Sequence, residues 1–149
     1  MRNLSEKEKI EYNKEELISG FDVLYTIKSE NSGEQLSLIK DVMLQISKYN
    51  SGNWPNDDEW YQLLPGWFLE KARVYSIEDA MTMDKIWHFE SWLDAMRYRE
   101  WEWIGSCIKE NKFFIYLKII NLPSIIEPFE FIMFIIGIEE QNITYKENW

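Results

Sequence analysis

The sequence predicts an α+β fold built as a single globular domain over residues 1–149. It has a predominantly helical N-terminal two-thirds, a short antiparallel β-hairpin or small sheet at about 101–120, and a closing C-terminal helix at about 128–137. Three observations carry this. Apolar residues before Trp101 recur at helical spacing and are punctuated by cap-like pairs. At Trp101 the texture changes to two β-prone runs around a polar turn. Pro128 and Gly137 then bracket an apolar run as a first helical and a C′ residue. A chain of 149 residues fits one domain and can bury roughly 70% of the surface its unfolded form exposes, so no disulfide or metal staple is needed.

Residues 1–20 read as a helix. Ser5 and Glu8 have capping-box spacing, Glu6 and Glu8 suit the positive end of the dipole, and Ile10, Leu17 and Phe21 form a sparse apolar stripe, with Gly20 a break. Phe21 to Lys28 fits two patterns. It alternates like a strand, yet Leu17, Phe21, Leu24 and Lys28 also share one helical face, and the weakness of any stop other than Gly20 favours helix. Asn31-Ser32-Gly33 is a turn ahead of a helix from Glu34 to Tyr49, with Leu36, Ile39, Met43 and Ile46 in period; Tyr49-Asn50-Ser51-Gly52-Asn53 ends it. Asn56 or Asp57 caps a short helix through Leu64, and Pro65 restarts one that carries Trp67, Phe68 and Ala72. Ser76 and Asp79 form another cap-like pair, and Ser91 and Asp94 a third that opens Trp92 to Tyr98.

Trp101 to Ile108 and Phe113 to Ile120, around Lys109-Glu110-Asn111-Lys112, form the hairpin. Phe113, Ile115, Leu117 and Ile119 share one face, and Phe114, Tyr116, Lys118 and Ile120 the other, so cover on both sides is expected. The final helix is apolar nearly all round and should pack deeply. The tail from about residue 139 is polar and expected to be mobile.

The segment Trp87 to Trp103, W-H-F-E-S-W-L-D-A-M-R-Y-R-E-W-E-W, concentrates four tryptophans beside the single histidine. Phe89, Trp92, Leu93 and Met96 fall on one helical face and belong to the core. Arg97, Arg99, Glu100 and Glu102 then point outward as a surface ion-pair cluster, with one or two Trp rings left as exposed interface anchors.

Composition narrows the function. One cysteine, Cys107, excludes an intramolecular disulfide, and the first residues lack the apolar stretch of a secretory signal; a cytoplasmic protein is expected. The tract from Ile125 to Ile138 is too short and too charged to span a bilayer. A net charge of −10 repels nucleic acid and attracts basic proteins. Cys107 in its apolar context and His88 between two rings read as packing residues rather than a nucleophile–base pair. No phosphate-binding glycine loop, nucleophile elbow or zinc spacing occurs, and Asp57-Asp58-Glu59 has helix-start rather than calcium-loop spacing. No enzyme, cofactor or metal is expected.

The phrases W-P-N-D-D-E-W…L-P-x-W-F (Trp54 to Phe68) and S-W-L-D-A-M-R-x-R-x-W-x-W (Ser91 to Trp103), the charged hairpin and the Pro-initiated helix ending at Gly137 resemble small acidic bacterial immunity proteins of polymorphic or contact-dependent toxin systems, over residues 54–137. The resemblance implies a cytoplasmic, non-catalytic inhibitor of a cognate toxin domain, often a basic nuclease, and carries over no binding residue. Charge supplies the candidates for partner binding: Asp57, Asp58, Glu59, Glu78, Asp79, Glu139 and Glu140. The apolar final helix leaves a homo-oligomer open. The alternative is a small-molecule or sugar binder, or a small enzyme, using exposed Trp rings that flank two carboxylates about 5–9 Å apart.

Overall fold

The computed structural model describes residues 5–12, 19–49 and 52–148. Four antiparallel strands form one sheet in the order β2-β3-β1-β4, with β1 at Val23–Lys28, β2 at Trp101–Lys109, β3 at Lys112–Ile119 and β4 at Ile143–Glu147. The helices are α1 (Glu6–Glu11), α2 (Ser32–Ser47), α3 (Asp57–Leu63), α4 (Gly66–Ala72), α5 (Ile77–Thr82), α6 (Phe89–Arg97) and α7 (Glu127–Ile136). The class is α+β. It closes on a strand rather than on the expected helix, because the tail past residue 139 makes a 3-10 turn at Glu140–Asn142 and pairs with β1.

Local chemistry explains most element starts. Ser5, Asn56 and Ser76 each form a reciprocal capping box, with Glu8, Glu59 and Asp79. Gly137 ends α7 at φ 97°, and the Met133 carbonyl accepts from the Gly137 amide and, at 3.1 Å, from the Ile138 amide. Glu110 takes a left-handed φ of 59° in the tight turn between β2 and β3.

Several expectations are corrected. Phe21 to Lys28 is not helical: Val23, Tyr25 and Ile27 alternate into the core, and β1 pairs on both edges, with β3 and with β4. The helix expected over 1–20 ends at Glu11, where Tyr12 turns extended; Leu17 lies outside the described residues. Asn31-Ser32-Gly33 is the start of α2 rather than a separate turn. α6 opens at Phe89 with His88 in the cap position, so Ser91 lies inside its first turn and does not cap it.

The core lies on one face of the sheet. α7 runs across it as the central helix and is packed on both sides. Phe129 inserts among Tyr25, Trp101 and Trp103 of the sheet, at ring separations of 5.4, 5.6 and 6.1 Å. Phe131 faces the other way, to Phe68 of α4, Trp92 of α6 and Tyr75. Phe89, Trp92, Leu93 and Met96 are all buried, as the helical period requires. A bulge after Trp103 shifts the register of β2, so Trp101 and Trp103 face the core while Cys107 lies on the opposite face, buried 3.8 Å from the Tyr116 hydroxyl. That face is only partly covered: Tyr116 is buried, but Lys118 and Ile120 are exposed.

Arg99 is not a surface residue. It is 4% exposed and forms a two-pronged pair with Glu6, itself 6% exposed, at 2.7 and 3.1 Å. Glu6 also accepts from the Trp103 amide at 2.8 Å, and Arg99 donates to the Trp101 carbonyl at 3.1 Å. These are two of the outward-facing backbone groups of β2, so α1 covers the Trp101–Trp103 end of that edge of the sheet. Nor is any described tryptophan exposed: Trp60, Trp92, Trp101 and Trp103 are fully buried, and Trp54, Trp67 and Trp87 half-buried.

Candidate functional site

The seven sequence-derived acids do not form one patch. Asp57, Asp58 and Glu59 occupy the first turn of α3, where Glu59 directs an oxygen to the Asn56 amide at 3.2 Å. Asp79 does the same for the Ser76 amide at 2.9 Å, while Glu78 borders a shallow depression with Arg73, Tyr75, His88 and Glu90. Burial, then Glu90, Asp94 and Asp58, push the Asp57 carboxyl up from its ordinary value. Asp58 and Glu59 share a hollow with Tyr49 and Gln62, and Glu139 and Glu140 meet in a cleft with Asp84, Lys85 and Glu130.

That cleft, about 560 Å³, lies between the C-terminal end of α7, the Asp84-Lys85 turn and β4. Its lining combines Asp84, Glu130, Glu139 and Glu140 with Lys85, and includes Phe134, Ile138, Ile143 and Tyr145. Phe134 and Tyr145 are 39% and 41% exposed, which leaves ring surface available. Glu130 forms the floor. One oxygen accepts from the Tyr25 hydroxyl at 2.8 Å, and the other pairs with Lys85 at 2.6 Å.

The electrostatics follow. Burial and then Glu130 raise the Tyr25 hydroxyl far beyond the ordinary tyrosine range, so it remains a donor to that carboxylate. The Tyr145 hydroxyl is also raised, by burial and by its bond to Glu147 at 2.7 Å. The bond to Glu130 raises Lys85 against the opposing effect of burial. Glu130 is therefore neutralised by Lys85, whereas among the described residues Asp84, Glu139 and Glu140 at the mouth of the cleft have no ion-pair partner. Carboxylates beside two aromatic rings suit a Lys or Arg side chain, by ion pairing and by contact of the cation with the ring faces.

The depression around Glu90 is different in kind. Glu90 accepts from the Tyr61 hydroxyl through one oxygen and lies 3.1 Å from His88 Nε2 through the other, while His88 Nδ1 sits 3.1 Å from Ser91 Oγ. Arg73 stacks on the Tyr61 ring, 3.9 Å from its centre. Both oxygens of the carboxylate thus have partners within the fold. Among the described residues no Trp lines either hollow. Among the described residues no cluster of three His, Cys, Asp or Glu side chains is placed to hold a metal, and no helix is long and apolar enough to cross a membrane.

Sequence reasoning missed Asp84, Lys85, Glu130 and Tyr145. Glu130 had a signal: it is a charged residue inside an otherwise apolar helix, where a buried acid needs a partner. Lys85 had none, since its placement rests on a left-handed turn at φ 68°. Comparison with family models, curated proteins and solved structures finds no match for this chain.

Proposed function

We propose that the chain is a non-catalytic binding protein that captures a basic protein partner, and that this partner is a toxin domain which it blocks, as an immunity protein does. The observation that carries the reading is the cleft over Glu130. Its floor charge is already paired, yet its mouth keeps Asp84, Glu139 and Glu140 beside the half-exposed rings of Phe134 and Tyr145. Such a surface discriminates by charge and anchors by ring contact. The net charge of −10 adds long-range attraction for a basic partner.

The test uses the purified product of the adjacent reading frame and the triple variant D84N/E139Q/E140Q. The expected result is a stable complex that protects intoxicated cells. In the variant, association should slow by about tenfold or more at low salt, with the gap narrowing as salt rises. No complex and no protection would refute the toxin assignment. A complex formed equally fast by the variant would refute the cleft.

A further inference from the structure

The two edges of the sheet are finished differently. At the start of β2 two outward groups are answered by side chains, the Trp103 amide by Glu6 and the Trp101 carbonyl by Arg99. On β4 they are not. The Asn148 amide donates to the Asp22 carbonyl at 2.9 Å, so Lys146 and Thr144, two and four residues back, also direct their backbone toward β1. Ile143, Tyr145 and Glu147 therefore turn theirs outward. The Ile143 amide is taken by the Glu140 carbonyl. Among the described residues nothing answers the Ile143 carbonyl or the amides and carbonyls of Tyr145 and Glu147. An open row of donors and acceptors is a template for another strand.

Side-chain direction ties this edge to the cleft. Tyr145 pairs with Tyr25, and Ile143 with Ile27, so both lie on the core face, and both line the cleft. A residue set opposite Tyr145 on an added antiparallel strand would share that face. Its side chain would stand over Glu139, Glu140 and Asp84.

We infer that β4 is a docking edge: an extended segment of the basic partner adds antiparallel to it as a fifth strand, with Lys or Arg at alternate positions entering the acidic cleft. This rests on the basic-partner reading above and specifies how the partner is held. Backbone pairing supplies affinity and the alternate basic side chains supply selectivity. A second copy of the chain is disfavoured, because its own Glu147, Glu139 and Glu140 would face the same acids.

The probe is a short, end-blocked peptide in which Lys alternates with Thr, studied with the full chain at about 0.15 M salt. In the proposed register the residues whose side chains enter the cleft are also those whose amides face β4. Methylating the Lys backbone nitrogens should thus abolish pairing, and methylating the Thr nitrogens should not. The expected result is binding that shifts the amide resonances of Tyr145 and Glu147, unaffected by Thr N-methylation and weakened about tenfold or more by Lys N-methylation. Equal binding of both methylated forms would overturn the edge while leaving the basic-partner reading intact. The opposite preference would overturn the antiparallel register. No binding beyond that of a Glu-Thr control would overturn both readings. A dimer of the free chain with its Tyr145 amide protected would replace the partner by a second copy.

Discussion

Replacing Glu6 with Ala removes the carboxylate that pairs with a guanidinium that is 4% exposed. It also takes the acceptor from the Trp103 amide. Burial already works to lower the Arg99 pKa, with Glu6 and Glu102 opposing it, so the charge depends on its acids for compatibility with that site. Removing one partner of a buried pair costs about 3–5 kcal/mol, against about 0–1 for a surface pair. With a urea m-value of about 2 kcal/mol/M, a loss near 4 kcal/mol moves the unfolding midpoint by roughly 2 M. The assay is urea unfolding followed by tryptophan fluorescence and by far-UV circular dichroism, with E6A, R99M and the double variant. Because most of the single-variant cost is an abandoned charge, E6A/R99M should lose less than the sum of the two singles. A loss below about 1 kcal/mol for E6A would refute the buried-pair account, as it would place the pair among surface ion pairs.

Three further outcomes follow from the fold. Phe129→Ala empties the contact among Tyr25, Trp101 and Trp103 and should cost about 3–5 kcal/mol, read by thermal unfolding. Gly137→Ala forces a Cβ into φ 97°, where open space gives no clash, so the loss should be the backbone strain alone, about 1–2 kcal/mol. Glu90 is held below its ordinary 4.5: burial raises it, but the Tyr61 hydroxyl, its own backbone amide, His88 and Arg73 together win. A depressed acid stabilises the fold above its unfolded value and loses that contribution as pH falls through its folded value. Tyr61→Phe should therefore raise the Glu90 titration, followed by carboxyl NMR, and flatten the fall in stability below pH 4.5.

How much was legible depends on the range of the interaction that decides each element. Ser76 with Asp79, Asn56 with Glu59, and Gly137 after an apolar run are local signals, and each marks its boundary correctly. The β2–β3 hairpin was legible for the same reason. Phe21 to Lys28 carried both periods, and what chose between them was pairing with Leu117 to Lys112 on one edge and Glu147 to Ile143 on the other. β4 reads as polar because an edge strand with one solvated side needs few apolar residues. Arg99 reads as solvated among Glu100 and Glu102, and the Glu6 that buries it lies 93 positions away. The cleft was half-legible: Glu139 and Glu140 stood out by charge, while Asp84, Lys85 and Tyr145 joined them only through the fold.

The site and the core share one helix, and this bears on how the site would work. Successive residues of α7 point about a quarter-turn or more apart. Phe129 enters the sheet side of the core, Phe131 enters the helical side, and Glu130 between them reaches Tyr25 and Lys85 at the cleft floor. Tyr25 in turn lies on β1 and pairs directly with Tyr145 of β4. The acid that shapes the cleft is thus fixed by a deeply buried helix, and the edge beside it is held by an interior strand. A partner binding there orders little that is not already ordered, so more of its contact energy appears as affinity. At the opposite edge Glu6 and Arg99 cover the Trp101–Trp103 end of β2. The cleft acids Asp84, Glu139 and Glu140 thus adjoin the β4 edge, where Ile143 and Tyr145 line the same cleft.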